Sequence, residues 1–183
     1  MKRTIFLLAV LLGSSATLLA QTKWKLDKAK AKIGFNVRHM LMSTVDGSFK
    51  KFEATIVSPK PDFSDAVFEV TIDAASINTD NEKRDKDLKS DSYFNIAKYP
   101  EITFKSTGVT KTGGNNYKVS GNLTMHGVTK PVTLELTINA HKPIADVKMT
   151  GTVSRTDFGI GSVPRAMIGD EITIKAEGEF SEE

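Results

Sequence analysis

The sequence predicts an all-β domain of about eight antiparallel strands, either a closed barrel or a two-sheet sandwich. Three observations lead there. Apolar and polar residues alternate with a period of two through most of the chain, which is the strand signature. Turn-forming residues separate most of these runs, as at Gly113-Gly114-Asn115-Asn116 and His126-Gly127. One segment alone, Ser76 to Pro100, breaks the pattern.

The elements follow in order. Ile33, Phe35 and Val37 alternate with Gly34, Asn36 and Arg38, and a strand from about Phe49 to Val57 comes next. Phe68, Val70 and Ile72 alternate with Glu69, Thr71 and Asp73. The charged Ser76–Pro100 segment is helix-tolerant. Thr79 and Glu82 are spaced as a capping box, and Glu82/Lys86 and Asp85/Lys89 are favourable i,i+4 pairs. Leu88 is nearly the only apolar residue of that helix, so it reads as a surface excursion rather than a core helix. Tyr93, Phe94, Ile96 and Tyr99 are placed to pin it down. Ile102 and Phe104 then flank Thr103. Tyr117, Val119, Gly121, Leu123 and Met125 form a longer series, as do Val132, Leu134, Leu136 and Ile138. Val147, Met149, Gly151 and Val153 follow, and Ile172, Ile174 and Ala176 close the chain with Phe180 in phase. An eight-stranded barrel holds either packed side chains or one small ligand, and periodicity does not separate the two.

The 183 residues suit one domain, and 39% hydrophobic content suits a folded one. With no Cys, disulfides, thiolate metal sites and Cys nucleophiles are excluded. Lys2 and Arg3, the apolar run Ile5–Leu12 and the small residues up to Ala20 have the layout of a cleavable secretory leader. Residues 1–20 are therefore expected to be a signal peptide and 21–183 a soluble exported domain. Without Lys2 and Arg3, the 25 basic residues fall to 23 against 22 acidic ones, a formal charge of +1. No dense basic stripe remains, which argues against nucleic acid as a partner.

The chemistry-bearing residues are few. His39, His126 and His141 are far apart and lack metal-ligand spacing, so no metal or cofactor is expected. No Gly-x-Ser-x-Gly elbow is present, and Asp157-Phe158-Gly159 lacks every other kinase element and reads as a turn. No catalytic residue is assigned. Polar groups do stand at strand ends on the apolar parity: His39 after Val37, Ser106 after Phe104, Arg155 after Val153. An apolar interior with polar groups at one mouth suits an amphiphile. Arg155 either holds its head or pairs locally, with Asp157 for example.

These residues form an ordered series. It runs from Trp24, Leu26 and Asp27 through Val45, Gly47, Phe49 and Phe52 to the excursion's Ser76-Ile77, Thr79, Arg84-Asp85, Leu88-Lys89-Ser90, Phe94 and Tyr99-Pro100. It ends in Gly121-Asn122-Leu123-Thr124, His126 to Val132, and Arg155 to Ile160. In this the chain resembles the YceI-like family of exported, polyisoprenoid-binding barrels. The resemblance implies an eight-stranded antiparallel lipocalin-like barrel with a helical excursion at about Thr79–Ile96. It implies an isoprenoid, quinone-like or fatty-amide ligand, a periplasmic location and frequent homodimers; transient membrane contact is expected for a lipid carrier. The expected apolar lining is Phe35, Val37, Phe68, Val70, Phe104, Leu123, Met125, Leu134, Leu136, Met149 and Ile174, with His39, Ser106 and Arg155 at the polar head. Asp87 stands where the family often has His, which points to a neutral or weakly polar head. Two other readings stay open: a lipid-modifying enzyme with His39 as base, and a solid-core envelope module docking through Arg84 and Lys89.

Overall fold

The computed structural model describes residues 21–40, 43–161, 164 and 166–183. The expected leader lies outside the described residues. Ten strands and one short α-helix are present among them: β1 (Thr22–His39), β2 (Ser43–Phe49), β3 (Phe52–Ser58), β4 (Val67–Asp73), β5 (Ile77–Asn78), α1 (Glu82–Lys89), β6 (Glu101–Gly113), β7 (Asn116–Met125), β8 (Val128–His141), β9 (Ile144–Ser154) and β10 (Ile168–Glu182). All pairings are antiparallel, and β10 returns to β1. The ring β1-β3-β4-β6-β7-β8-β9-β10 is a closed eight-stranded barrel.

The alternation of the sequence becomes an inside and an outside. In β7, Tyr117, Val119, Gly121, Leu123 and Met125 are buried, while Lys118, Ser120 and Asn122 between them are exposed. The β7–β8 connection is the expected two-residue turn, with His126 at φ 53° and Gly127 at φ 74°. Both central residues then have the positive φ of a type I′ hairpin.

The expected strand from Phe49 to Val57 is broken at Lys50–Lys51. There β2 and β3 act as one bent strand along β1. The first half of β1 pairs with β3 and its second half with β2. The next strand bends at the same height through a 3₁₀ turn, Ala74–Ser76, which separates β4 from β5. Ser76 ties the two bends together. Its Oγ accepts from Lys51 N–H at 3.0 Å and its carbonyl accepts from Lys50 N–H at 3.1 Å. Beyond the bend, β5 is the last strand of the sheet order. Residues 79–100 cover that side of the barrel instead of a strand.

This excursion is helical only over Glu82–Lys89, shorter than expected. Its N-cap is Asn81, whose side chain accepts from Arg84 N–H at 2.9 Å. Thr79 does not form the expected capping box, because it is buried and bonded to Asp85. Neither Glu82/Lys86 nor Asp85/Lys89 closes as an ion pair among the described residues. The expected aromatic pins do hold. Phe94 meets Phe49 edge-on at 6.2 Å, and Tyr99 meets His126 edge-on at 4.8 Å.

One end of the barrel is packed solid. The β3–β4 connection folds Phe63 under Trp24, with ring centroids 5.3 Å apart. Ile56, Phe68, Val119 and Leu136 are buried, and Tyr117 Oη donates to Asp62 O at 2.9 Å. The Asp62 carboxylate accepts from Ser64 N–H and Oγ–H, which hold its pKa below the ordinary carboxylate value.

Candidate functional site

The other end is hollow. A cavity of about 470 Å³ lies between the second half of β1, the bent strands, the later strands and the excursion. Pockets of roughly 300–1,000 Å³ hold one small ligand, so this one is large enough. Its walls are mostly apolar, so the interior is not the solid core of the module reading.

Glycines keep it open. A Cβ on Gly47 would lie 2.2 Å from Phe35 Cζ, one on Gly121 2.5 Å from the Phe104 ring, and one on Gly151 2.3 Å from Leu134 Cδ2. Each bulky side chain thus lies flat against the wall, over a neighbour that has no side chain, instead of filling the lumen.

Of the residues expected to line the interior, Phe35, Val37, Val70, Phe104, Leu123, Met125, Leu134, Met149 and Ile174 all face this cavity. Phe68 and Leu136 do not. They point inward but belong to the packed end, where Phe68 pairs with Ile56 and Leu136 with Tyr117. Ser106 does not reach the cavity either. It sits at a register break in β6, and its Oγ accepts from Phe68 N–H at 2.9 Å. It thereby satisfies a backbone donor beyond the end of the β4–β6 ladder. His39 lines the cavity at the end of β1, half-buried.

Arg155 borders the cavity but is committed elsewhere. It is 3% exposed and opens a 3₁₀ turn, Arg155–Phe158. Gly159 and Gly161, both at φ 68°, then wrap the chain around its guanidinium, in the turn expected at Asp157-Phe158-Gly159. Nε donates to Gly169 O at 3.0 Å. One Nη1 donates to Ile160 O at 2.9 Å and to Gly161 O. Nη2 donates to Ile168 O and Asp170 Oδ1, each at 3.1 Å. A guanidinium has five N–H donors, and all five are used. The carboxylate partner is Asp170, not Asp157. Arg155 therefore locks the loop into β10 and has no donor left for a head group.

The polar rim comes largely from the excursion, and strand parity does not reach it. Thr79, Asn81, Lys83, Arg84 and Asp87 line the cavity, with Leu88, Tyr93 and Phe94 below them. Arg84 is half-buried. Its Nε donates to Thr79 Oγ1 at 2.7 Å and its Nη2 to Thr79 O at 2.8 Å. Among the described residues, no group of His, Asp or Glu is arranged to hold a metal.

The fold and site define a class: a closed antiparallel barrel with one packed end and one hollow, apolar end under a helical cover. Residues 24–180 match the YceI-like domain, and the chain belongs to that family. It is 42% identical over 126 residues to the UPF0312 protein plu2095 of Photorhabdus laumondii, covering 69% of this chain and 65% of that protein. The chain thus spans just under two thirds of that relative's length. The solved structure of Burkholderia cenocepacia BcnA aligns with a TM-score of 0.79 at 26% identity, covering 84% of this chain and 98% of that one. A polyisoprenoid binding domain from Saccharophagus degradans has the same fold, with a TM-score of 0.67 at 16% identity over 86% of this chain and 97% of that one.

Proposed function

We propose that this protein binds a long apolar or amphiphilic chain in the hollow end of its barrel and carries it outside the cytoplasm without covalent chemistry. The observation that carries the reading is the glycine-backed apolar cavity. Burying an alkyl or isoprenoid tail there contributes about 0.8 kcal/mol per methylene relative to water, the gain a membrane also gives, so an enclosed tail exchanges between the two at little net cost. The polyisoprenoid binding named for the Saccharophagus degradans domain supports a lipid-like ligand. The layout of residues 1–20 supports export to the periplasm. Exchange requires only transient contact with a membrane, and the working form is a homodimer, which sedimentation velocity tests.

The carrier reading is favoured over lipid modification by the state of His39. Among the described residues its ring makes no hydrogen bond to a carboxylate or hydroxyl, whereas a general base is held by an orienting partner.

The test is native mass spectrometry of protein recovered from the periplasm of a Gram-negative host, followed by solvent extraction. A stoichiometric adduct that extracts as an isoprenoid, quinone or fatty amide or acid is expected. A bare mass that stays bare after exposure to membrane extract would overturn the carrier reading.

A further inference from the structure

Resting on that reading of the hollow end, we propose that the ligand's head is an acidic oxygen group, a carboxylate or a phosphate ester, and that Arg84 receives it. The argument starts from what holds Arg84. Thr79 is 5% exposed, and its N–H and Oγ–H both donate to Asp85 Oδ1, at 2.9 and 2.6 Å. The same threonine accepts Arg84 Nε on its hydroxyl and Arg84 Nη2 on its carbonyl. The relay Asp85–Thr79–Arg84 therefore fixes the guanidinium in place without neutralising it.

No carboxylate lies within ion-pair distance of Arg84 among the described residues, although Asp85 and Asp87 follow it closely in sequence. Nη1 has no hydrogen-bond partner among them. A half-buried guanidinium held in place with one edge unused, bordering an apolar cavity, is preorganised to donate to an acceptor that arrives with the ligand. Its planar fork matches the two oxygens of a carboxylate or phosphate.

The rim's charge agrees. Among the described lining residues, Lys83 and Arg84 stand against one carboxylate, Asp87, so the rim is not set for the neutral head that the sequence position of Asp87 suggests. Arg155, which also borders this cavity, has spent every donor on the protein itself.

The experiment titrates delipidated full chain with cis-parinaric acid and with its methyl ester, which share a fluorescent tail and differ in the head. The wild type is expected to bind the acid about tenfold more tightly, the worth of one modest charged hydrogen bond. Arg84→Gln is expected to shrink that gap by weakening the acid more than the ester, and Arg84→Lys to restore part of it. Equal binding of acid and ester by the wild type overturns the proposal and leaves the carrier reading standing. So does an Arg84→Gln variant that weakens both ligands alike, which assigns Arg84 to holding the excursion only. Failure of both probes to bind the wild type overturns the carrier reading with it. Competition by oleic acid against oleyl phosphate distinguishes the two sources of the acidic head. Parity of both with oleyl alcohol counts against the proposal.

Discussion

Replacing Arg155 with Met tests whether this residue is a lock or a ligand contact. Methionine keeps much of the volume and the unbranched stem but deletes five donors. It would leave Asp170 and the carbonyls of Ile160, Gly161, Ile168 and Gly169 without those partners. The side chains of Arg155 and Asp170 are 4% and 14% exposed, so water screens the pair little. Removing one partner of a buried charge pair costs about 3–5 kcal/mol, because the other is left uncompensated. The five bonds do not add, since the loop carbonyls relax toward water once released. For a domain of this size that loss lowers Tm by roughly 6–20 °C. Urea unfolding of delipidated protein measures it. Trp24, the sole tryptophan, reports from the packed end of the barrel. A loss below about 1 kcal/mol, accompanied by lost discrimination between acid and ester probes, would refute the reasoning and return Arg155 to the head-group role.

Two further outcomes follow from local geometry. Gly47→Ala puts a Cβ 2.2 Å from Phe35 Cζ, so the ring must swing into the lumen. Stability should fall by about 1–3 kcal/mol, and the longest chains should be lost before shorter ones; unchanged capacity for long chains would show that the glycine does not set the bore. The Asp62 carboxylate is held low by Ser64, so its contribution is present above the ordinary value of 3.8 and is lost as pH falls through the lower folded value. An NMR titration should therefore place Asp62 below 3.8 in the wild type and higher in Ser64→Ala, whereas equal midpoints would dissociate the shift from those two hydrogen bonds.

The barrel was readable because its strands are wet on one side, so that period-two alternation marks the inner face residue by residue. Parity carries no information on height along the barrel axis. That is why Phe68 and Leu136 point inward as expected yet lie in the packed end, away from the cavity. Ser106 departs from the expectation because β6 continues past it through a register break, where its hydroxyl serves as a backbone acceptor. Arg155 shows a different gap: its parity is right, but its partners come from a loop that alternation does not describe. The excursion was legible as an interruption and through its aromatic pins, but its orientation was not. A helix with no buried residue has no apolar stripe to aim it. The rim residues Thr79 and Arg84 are placed by hydrogen bonds between neighbours in sequence, and the resemblance quoted them without assigning them a role. Val45 and Phe49, which also line the cavity, lie in phase with Gly47, so the alternation of β2 marks them as inward-facing.

The central claim is that the hollow end encloses a long apolar chain, and a chain-length series tests it most directly. Primary alcohols from about eight to about twenty carbons would be titrated against a bound apolar dye, so that only tail length changes. Affinity should rise about fourfold per methylene, the equivalent of roughly 0.8 kcal/mol, until the tail fills the hollow, and then level off. An affinity that does not change with chain length would mean that the tail stays outside the barrel, and would contradict the account.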